Sequence, residues 1–128
     1  MQIVDTNIVL RYILSDNEEL SAQAEKIIDN NHIYIPIEVL CEVVYVLDKV
    51  YNASRGDVAV QLTDFIDDSN VSVPHREAVL LGLRTYGSKN LDFVDCILAG
   101  YAEAENAEIH TFDKALGKLI DSQNSEKK

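Results

Sequence analysis

Hydrophobic and polar positions along this chain follow two spacings, one typical of helices and the other of strands. Leu20, Ala24, Ile27 and Ile28 recur at the spacing of one face of an amphipathic helix. Residues 32–35 alternate between polar and apolar side chains and stop at a proline, as a strand does. Read in this way, the sequence predicts strands at 2–5, 32–36, 71–74 and 108–111, and helices at 6–14, 17–29, 37–51, 55–68, 76–86 and 92–106, with a short final helix starting at Asp113.

The order of these elements predicts an α/β fold. Strands separated by helices are typical of an α/β sandwich with a mainly parallel central sheet, here of four or five strands. We expect a single domain over residues 1–122 and a polar C-terminal tail over residues 123–128. Ser54 is expected to cap the start of one helix, and Gly87 the end of another. Ligands of parallel sheets bind beyond the carboxyl ends of the strands, where Asp5 and Asp113 fall.

Acidic residues interrupt segments that are otherwise apolar. Glu42 lies within Val39–Leu47, and Asp92 and Asp95 lie within Leu91–Ala99. Because their neighbours are apolar, we expect Glu42 and Asp95 to be largely buried and to lie away from helix ends. A buried carboxylate must be paired, bound to a cation or protonated, and few basic residues accompany these acids. The pattern therefore predicts a divalent-metal site.

The expected ligands are all carboxylate oxygens. Asp92 and Asp95 are three residues apart, so on a helix they share a face. Convergent acids of this kind suit Mg²⁺ or Mn²⁺, and the pattern is compatible with one ion or with two. Zinc is not expected, because the three histidines show no ligand spacing and the two cysteines stand apart.

Composition and charge narrow the classes of function. With 128 residues, 47% of them hydrophobic, the chain suits one compact soluble domain. No apolar stretch approaches the ~20 residues of a membrane span, and the N-terminus does not look like a signal peptide. Cys41 and Cys96 suit separate buried thiols in a reducing cytoplasm. The net charge of −11 disfavours nucleic acid unless metal ions or local basic groups offset it, and it favours a basic protein segment as partner.

A simpler explanation is open for some of the acids. A carboxylate directly after a strand often serves only as the N-cap of the next helix, and this applies to Asp5 and Asp113. Asp92 is expected to cap the helix that begins at Phe93. Glu42 and Asp95 have no such explanation, so the acids taken together favour a site over a set of caps.

The acids and their neighbours resemble a known family. Asp5-Thr6-Asn7, the helical Glu42, Asp92-Phe93-Val94-Asp95 and Thr111-Phe112-Asp113 are similar, in order and spacing, to the four landmarks of the PIN-domain ribonucleases. Within that family the chain looks most like the VapC-type toxins of toxin–antitoxin pairs. The resemblance covers essentially the whole chain, and the ordered set is far more specific than any one of its short motifs.

The resemblance implies a fold and an activity. The implied fold is an α/β/α sandwich around a parallel sheet. The implied activity is hydrolysis of an RNA phosphodiester that depends on Mg²⁺ or Mn²⁺ and leaves a 5′-phosphate and a 3′-hydroxyl. Carried over by position, the metal-binding and catalytic acids are Asp5, Glu42, Asp95 and Asp113, with Asp92 as a more variable ligand and with Thr6, Asn7 and Thr111 as supporting polar residues.

Partners also follow from the resemblance. The usual partner in the family is an antitoxin whose basic tail or arginine enters the acidic groove, and the net charge suits such a segment. Arg11 and Lys114, each close in sequence to a site acid, are candidate RNA contacts, whereas Arg84 is better explained as part of a solvated helix face. The apolar stretches at 8–10 and 43–47 exceed what one small core needs, which suggests a homodimer.

Two other functions compete with this one. The chain could be a non-catalytic acidic module that only holds a basic protein partner, and a metal titration separates that alternative from the enzyme. A phosphatase of the haloacid type would need a second Asp two positions after Asp5, where Asn7 stands. A receiver domain would need a paired acid and a strand-end lysine that the sequence does not supply.

Overall fold

The structure is a computed structural model that describes residues 1–126. It comprises two compact units, the first covering Met1–Pro74 and the second beginning at His75. No helix in the described part of the chain is long and apolar enough to cross a bilayer. The single domain expected over residues 1–122 stays a prediction.

The first unit contains a parallel β-sheet. Its strands β1 (Gln2–Ile3), β2 (Ile33–Tyr34) and β3 (Val71–Ser72) lie side by side in that order. Ile33 and Ile35 are fully buried, so the middle strand carries apolar side chains into the core. The predicted α/β class and parallel pairing are confirmed, but the expected four or five strands are not found, since the described residues form three.

Helices make up most of the first unit, and polar side chains set where they begin. Asp5, Asn17 and Ser54 each accept a hydrogen bond from the backbone N–H three residues further on, so each caps a helix. The predicted Ser54 cap is therefore confirmed. The helices are α1 (Thr6–Leu14), α2 (Glu18–Asp29), α3 (Ile37–Lys49) and α4 (Arg55–Asp67), and α1 packs against both α2 and α3.

The second unit is helical within its described residues. It contains α5 (Arg76–Ser88), α6 (Phe93–Glu105) and α7 (Lys114–Glu126), with α6 packed against both of the others. The strand expected at 108–111 is absent from the described structure, where residues 106–113 form neither helix nor strand. An alternating pattern of side chains indicates only which face of a strand would be buried. A strand also needs a neighbouring strand to hydrogen-bond with, and no strand is described in this unit.

One predicted boundary in the second unit is wrong, and the final helix is longer than expected. Helix α5 continues through Gly87 to Ser88, and the N–H of Lys89 bonds the carbonyl of Thr85 at 2.8 Å. Gly87 has no positive φ, so it does not form the left-handed cap expected of it. Helix α7 continues to Glu126, so the described part of the expected polar tail is helical, while positions 127 and 128 of that tail lie outside the described residues.

Glycine allows α5 and α6 to pack closely. A Cβ atom at Gly82 would lie 2.8 Å from Cδ1 of Ile97, and one at Gly100 would overlap the carbonyl oxygen of Ala78. Both contacts lie between α5 and α6, so the two backbones approach more closely than larger side chains would permit. Since Asp95 belongs to α6, this contact fixes the helix that carries it.

The two cysteines are free, as predicted. Cys96 is buried and its Sγ donates to the carbonyl of Leu91 at 3.7 Å. Cys41 is half-buried, and burial, followed by the charge of Glu38, raises the pKa of its thiol. A thiol with a raised pKa is less often a thiolate at neutral pH, so Cys41 is a poor nucleophile.

Replacing Gly100 tests the α5–α6 contact. We expect Gly100→Ala to lower the free energy of unfolding by about 1–3 kcal/mol or more, because the added methyl group meets backbone that cannot rotate away. Gly56→Ala is the matched control, since nothing lies within 4 Å of a Cβ there. It should leave stability unchanged or raise it by up to about 1 kcal/mol. Urea unfolding measures both, and equal effects would contradict the close approach.

Candidate functional site

Asp5 follows β1 and caps α1. Its Oδ1 accepts the N–H of Ile8 at 3.1 Å, although the residue is exposed. Within residues 1–126 the other carboxylate oxygen receives no hydrogen bond. Capping and ligand binding are therefore compatible for this side chain. Of the two polar residues expected to support it, Thr6 is buried and Asn7 is exposed.

Asp113 caps α7 in the same way. Its Oδ1 accepts the N–H of Leu116 at 2.8 Å, and its own N–H bonds Oγ1 of Thr111 at 3.0 Å. The hydroxyl of Thr111 thus shapes the turn that presents Asp113. As with Asp5, the second carboxylate oxygen has no donor in the described chain.

Asp92 and Asp95 lie at the start of α6. Asp92 occupies the expected N-cap position but makes no capping hydrogen bond with its side chain. Asp95 is half-buried in the first turn, which corrects the expectation that it would lie deep in the helix, away from its ends. Burial raises the pKa of Asp95, and the negative charges of Asp113 and Asp92 raise it further. Asp113 and Asp92 therefore each lie within electrostatic reach of Asp95.

Glu42 is exposed, so the expected burial is wrong. The buried face of α3 consists of Leu40, Val43, Val44 and Leu47, which recur every three or four residues. Successive helical residues are rotated by about 100°, so Glu42 falls on the opposite side of the helix despite its apolar neighbours in sequence. Its carboxylate is in water and has no need of a cation for its stability.

The candidate RNA contacts differ in their surroundings. Nη1 of Arg11 donates to Oδ1 of Asp16 at 2.7 Å, and this hydrogen bond raises the pKa of Arg11. Lys114 is exposed and forms no ion pair within residues 1–126. Lys114 is thus the more available of the two.

A cleft of about 670 Å³ in the second unit brings together basic side chains that the sequence analysis did not connect. Arg84, Lys89 and Lys118 line it. Lys118 has no motif around it that would have marked it in the sequence, and Lys114, the candidate on the same helix, does not line this cleft.

The chemistry of the acids fits a hard divalent cation. None of the five is paired with a Lys, Arg or His side chain in the described residues. Unpaired carboxylate oxygens are the ligands that Mg²⁺ and Mn²⁺ prefer. Over the same residues, no three Asp, Glu, His or Cys side chains are grouped tightly enough to form a complete metal site. The carboxylates are therefore suitable metal ligands, but in the described residues they are not gathered around one point as the ligands of a single ion would be.

Comparison with known proteins gives one family and one relative. The family model of the PIN domain matches residues 3–120, a span that contains all five acids. A VapC ribonuclease from Aquifex aeolicus (strain VF5) is 24% identical over 130 residues, covering 93% of this chain and 92% of the relative. No solved structure matches the chain.

Asparagine and alanine should separate capping from charge at Asp5 and Asp113. Asn caps a helix about as well as Asp does, so Asp5→Asn and Asp113→Asn should change the free energy of unfolding by less than about 0.5 kcal/mol. The alanine variants remove the acceptor and should each cost about 1 kcal/mol. Chemical unfolding of the four variants provides the measurement, and equal losses for Asn and Ala would argue against the caps.

Asp95→Asn should make the metal-free protein more stable at neutral pH. The pKa of Asp95 is raised in the folded state, so its contribution to stability is present at low pH and is lost as pH rises through that pKa. An uncharged isostere avoids the loss at pH 7, and its advantage should shrink below about pH 4, where carboxyl groups protonate. Unfolding at pH 7 and pH 3 in EDTA checks this. A less stable variant at pH 7 would contradict the unfavourable placement of Asp95.

Proposed function

The chain belongs to the PIN domain family, and from this we propose that it is a metal-dependent endoribonuclease and the toxin of a toxin–antitoxin pair. The resemblance to VapC-type proteins is confirmed by a VapC ribonuclease that aligns over most of both chains. The observation that carries the proposal is the surroundings of Asp95, where burial, followed by the charges of Asp113 and Asp92, raises the pKa of the carboxyl and no basic partner is described for any of the three acids. A cation would relieve that repulsion.

The proposed metal site is made of carboxylates. Asp5, Glu42, Asp95 and Asp113 are the proposed metal-binding and catalytic acids, and Asp92 adds negative charge beside Asp95. A bound Mg²⁺ or Mn²⁺ would supply positive charge at the scissile phosphate and lower the pKa of an attacking water. Asp5 and Asp113 hold one oxygen on a backbone N–H, which orients the carboxylate and leaves the other oxygen for a ligand.

Thr111 is a positioning residue in this proposal. Its hydroxyl accepts the N–H of Asp113 and thereby sets the turn from which that carboxylate extends. Thr6 and Asn7 adjoin Asp5 in sequence, and Asn7, which is exposed, is the more accessible to substrate. Lys114 is the preferred candidate for a phosphate contact, because the guanidinium of Arg11 is already bound to Asp16.

The proposed protein partner is an antitoxin with a basic segment. A net charge of −11 attracts such a segment, and at the acids an arginine or lysine would replace the cation that the enzyme needs. RNA, in contrast, must approach an acidic protein through its metal ions and its few basic side chains. We propose a cytoplasmic location, in keeping with two free thiols.

The homodimer also remains a proposal, but its basis changes. Val9, Leu10 and Val44, from the stretches expected to be in excess, are buried in the core of the first unit. The exposed apolar side chains of this unit include Val50 and Val60, at 68% and 61% exposure.

Charge-removing variants test the enzyme. We expect Asp113→Asn to abolish cleavage of a structured RNA in Mg²⁺ or Mn²⁺ while its thermal unfolding stays unchanged, because Asn keeps the cap and loses the charge. Asp64→Asn is the matched control, because Asp64 is an exposed acid on α4, and this variant should cleave like the wild type. End-labelled substrates reveal whether the products carry a 5′-phosphate. Full activity in Asp113→Asn would contradict the proposal.

Calorimetry with Mn²⁺ separates the enzyme from the acidic binding module in the same set of variants. If the protein is the proposed enzyme, the wild type should bind Mn²⁺, Asp95→Asn should bind it more weakly, and Asp64→Asn should bind it like the wild type. A wild-type protein that binds no Mn²⁺ would favour the binding module.

A further inference from the structure

The side chain of Phe112 lies wholly in solvent. Its relative exposure is 107%, and it directly precedes Asp113 in a segment without regular secondary structure. An aromatic ring that stays in water does not gain the free energy that burial would give, so Phe112 does not stabilise the fold by packing. A role outside the fold of the chain accounts for such a ring better than packing does.

The exposed ring stands alone. In the described part of the second unit, the other large apolar side chain with strong exposure is Val94, at 55%. Protein interfaces bury contiguous apolar patches of several hundred Å². A single ring does not make such a patch, but it is sufficient to stack on one nucleobase.

The surroundings of the ring have the chemistry that recognises a base. Phe112 lines a shallow cleft of about 510 Å³ between residues 109–112 and α7. Ile109 and Ile120 give the cleft apolar walls, while His110 and Asp121 add hydrogen-bonding groups. An aromatic face beside donors and acceptors is how proteins hold unpaired bases.

The position of the ring relative to Asp113 connects this cleft with the proposed chemistry. Adjacent Cα atoms are about 3.8 Å apart, and the Asp113 carboxylate is fixed by the N–H of Leu116 at 2.8 Å. A phosphate that a cation would hold at Asp113 is therefore next in the chain to Phe112, and a base of the same RNA strand is a suitable partner for the exposed ring.

We propose that Phe112 is a substrate-binding residue that stacks on a nucleobase of single-stranded RNA, next to a phosphate that a cation would hold at Asp113. This inference rests on the proposed function and adds to it a binding position for a base. Stacking uses the π-face that every base has, so the position would favour unpaired RNA without selecting one sequence. It also supplies affinity that does not depend on charge, which an acidic protein needs when it binds a polyanion.

Binding of oligonucleotides tests the proposal. The probes are a 12-nucleotide oligoadenylate and an abasic ribose-phosphate chain of the same length, both measured in Mg²⁺ and both made with a methylene group in place of each 3′-oxygen so that nothing is cleaved. Phe112→Ala should weaken oligoadenylate binding by roughly 5- to 150-fold, and Phe112→Trp should restore it. The abasic chain should bind equally to all three proteins. The loss should be the same factor at low and high salt, because stacking releases no counterions.

Leu20→Ala is the matched control. Leu20 is an exposed apolar residue of the first unit, at 44% exposure, and its loss should leave oligoadenylate binding unchanged. Unchanged thermal unfolding of Phe112→Ala would exclude a folding defect, as expected for a ring outside the core.

Several outcomes would overturn the proposal. Unchanged oligoadenylate binding by Phe112→Ala would do so, as would equal weakening with the abasic chain. If the variant binds RNA normally but sediments as a smaller species than the wild type, the ring contacts protein and not a base. If the wild-type protein cleaves RNA and Phe112→Ala binds it normally, the stacking role is wrong but the proposed function stands. If the wild-type protein neither binds nor cleaves RNA, the proposed function is wrong as well.

Discussion

The placement of acids at helix N-termini is the interaction on which the rest of this site depends. Asp5 and Asp113 each hold a backbone N–H at the start of a helix, and Asp92 and Asp95 occupy the first positions of α6. Helix N-termini offer unpaired N–H groups and the positive end of the helix dipole. The N–H groups therefore give Asp5 and Asp113 hydrogen-bond donors where few basic side chains are available. Glu42 is the exception, because it lies in the middle of α3 and is exposed.

The same placement leaves a cost at Asp95. Burial, followed by the negative charges of Asp113 and Asp92, raises the pKa of Asp95 even though the residue lies in the first turn of α6. The close contact of α5 and α6 at Gly82 and Gly100 supports the helix against that cost. Functional sites commonly keep such local instability, which the surrounding packing offsets.

The sequence predicted the helices better than the strands, for reasons visible in single residues. Ser54 and Asp5 cap helices by accepting a hydrogen bond from a backbone N–H three residues further on, and an interaction this short in sequence can be predicted from neighbouring residues. The strand at 108–111 required a neighbour in space that no local pattern specifies. Gly87 shows the same limit, since glycine permits a left-handed cap but does not impose one.

The candidate site was predicted in part. The identities of the acids followed from their positions in the chain, and Asp92, Asp95 and Asp113 do lie near one another. The burial of Glu42 was predicted wrongly because apolar neighbours along the chain were taken as neighbours in space. On a helix only residues three or four apart share a face. The exposure of Phe112 had no sequence signal, because the same letters would suit a buried ring.

The two glycine contacts have a mechanical consequence for the second unit. Because the backbones of α5 and α6 approach so closely at Gly100, any larger side chain there would force the two helices apart. Asp95 is therefore carried by a helix whose distance from α5 is set by that contact. Asp113 follows a segment without helical or ladder hydrogen bonds, and its bonds to Thr111 and Leu116 tie it to the start of α7 instead. The separation of the Asp95 and Asp113 carboxylates therefore depends on how α7 packs against α6, and a substitution in that packing would change the separation without touching either acid.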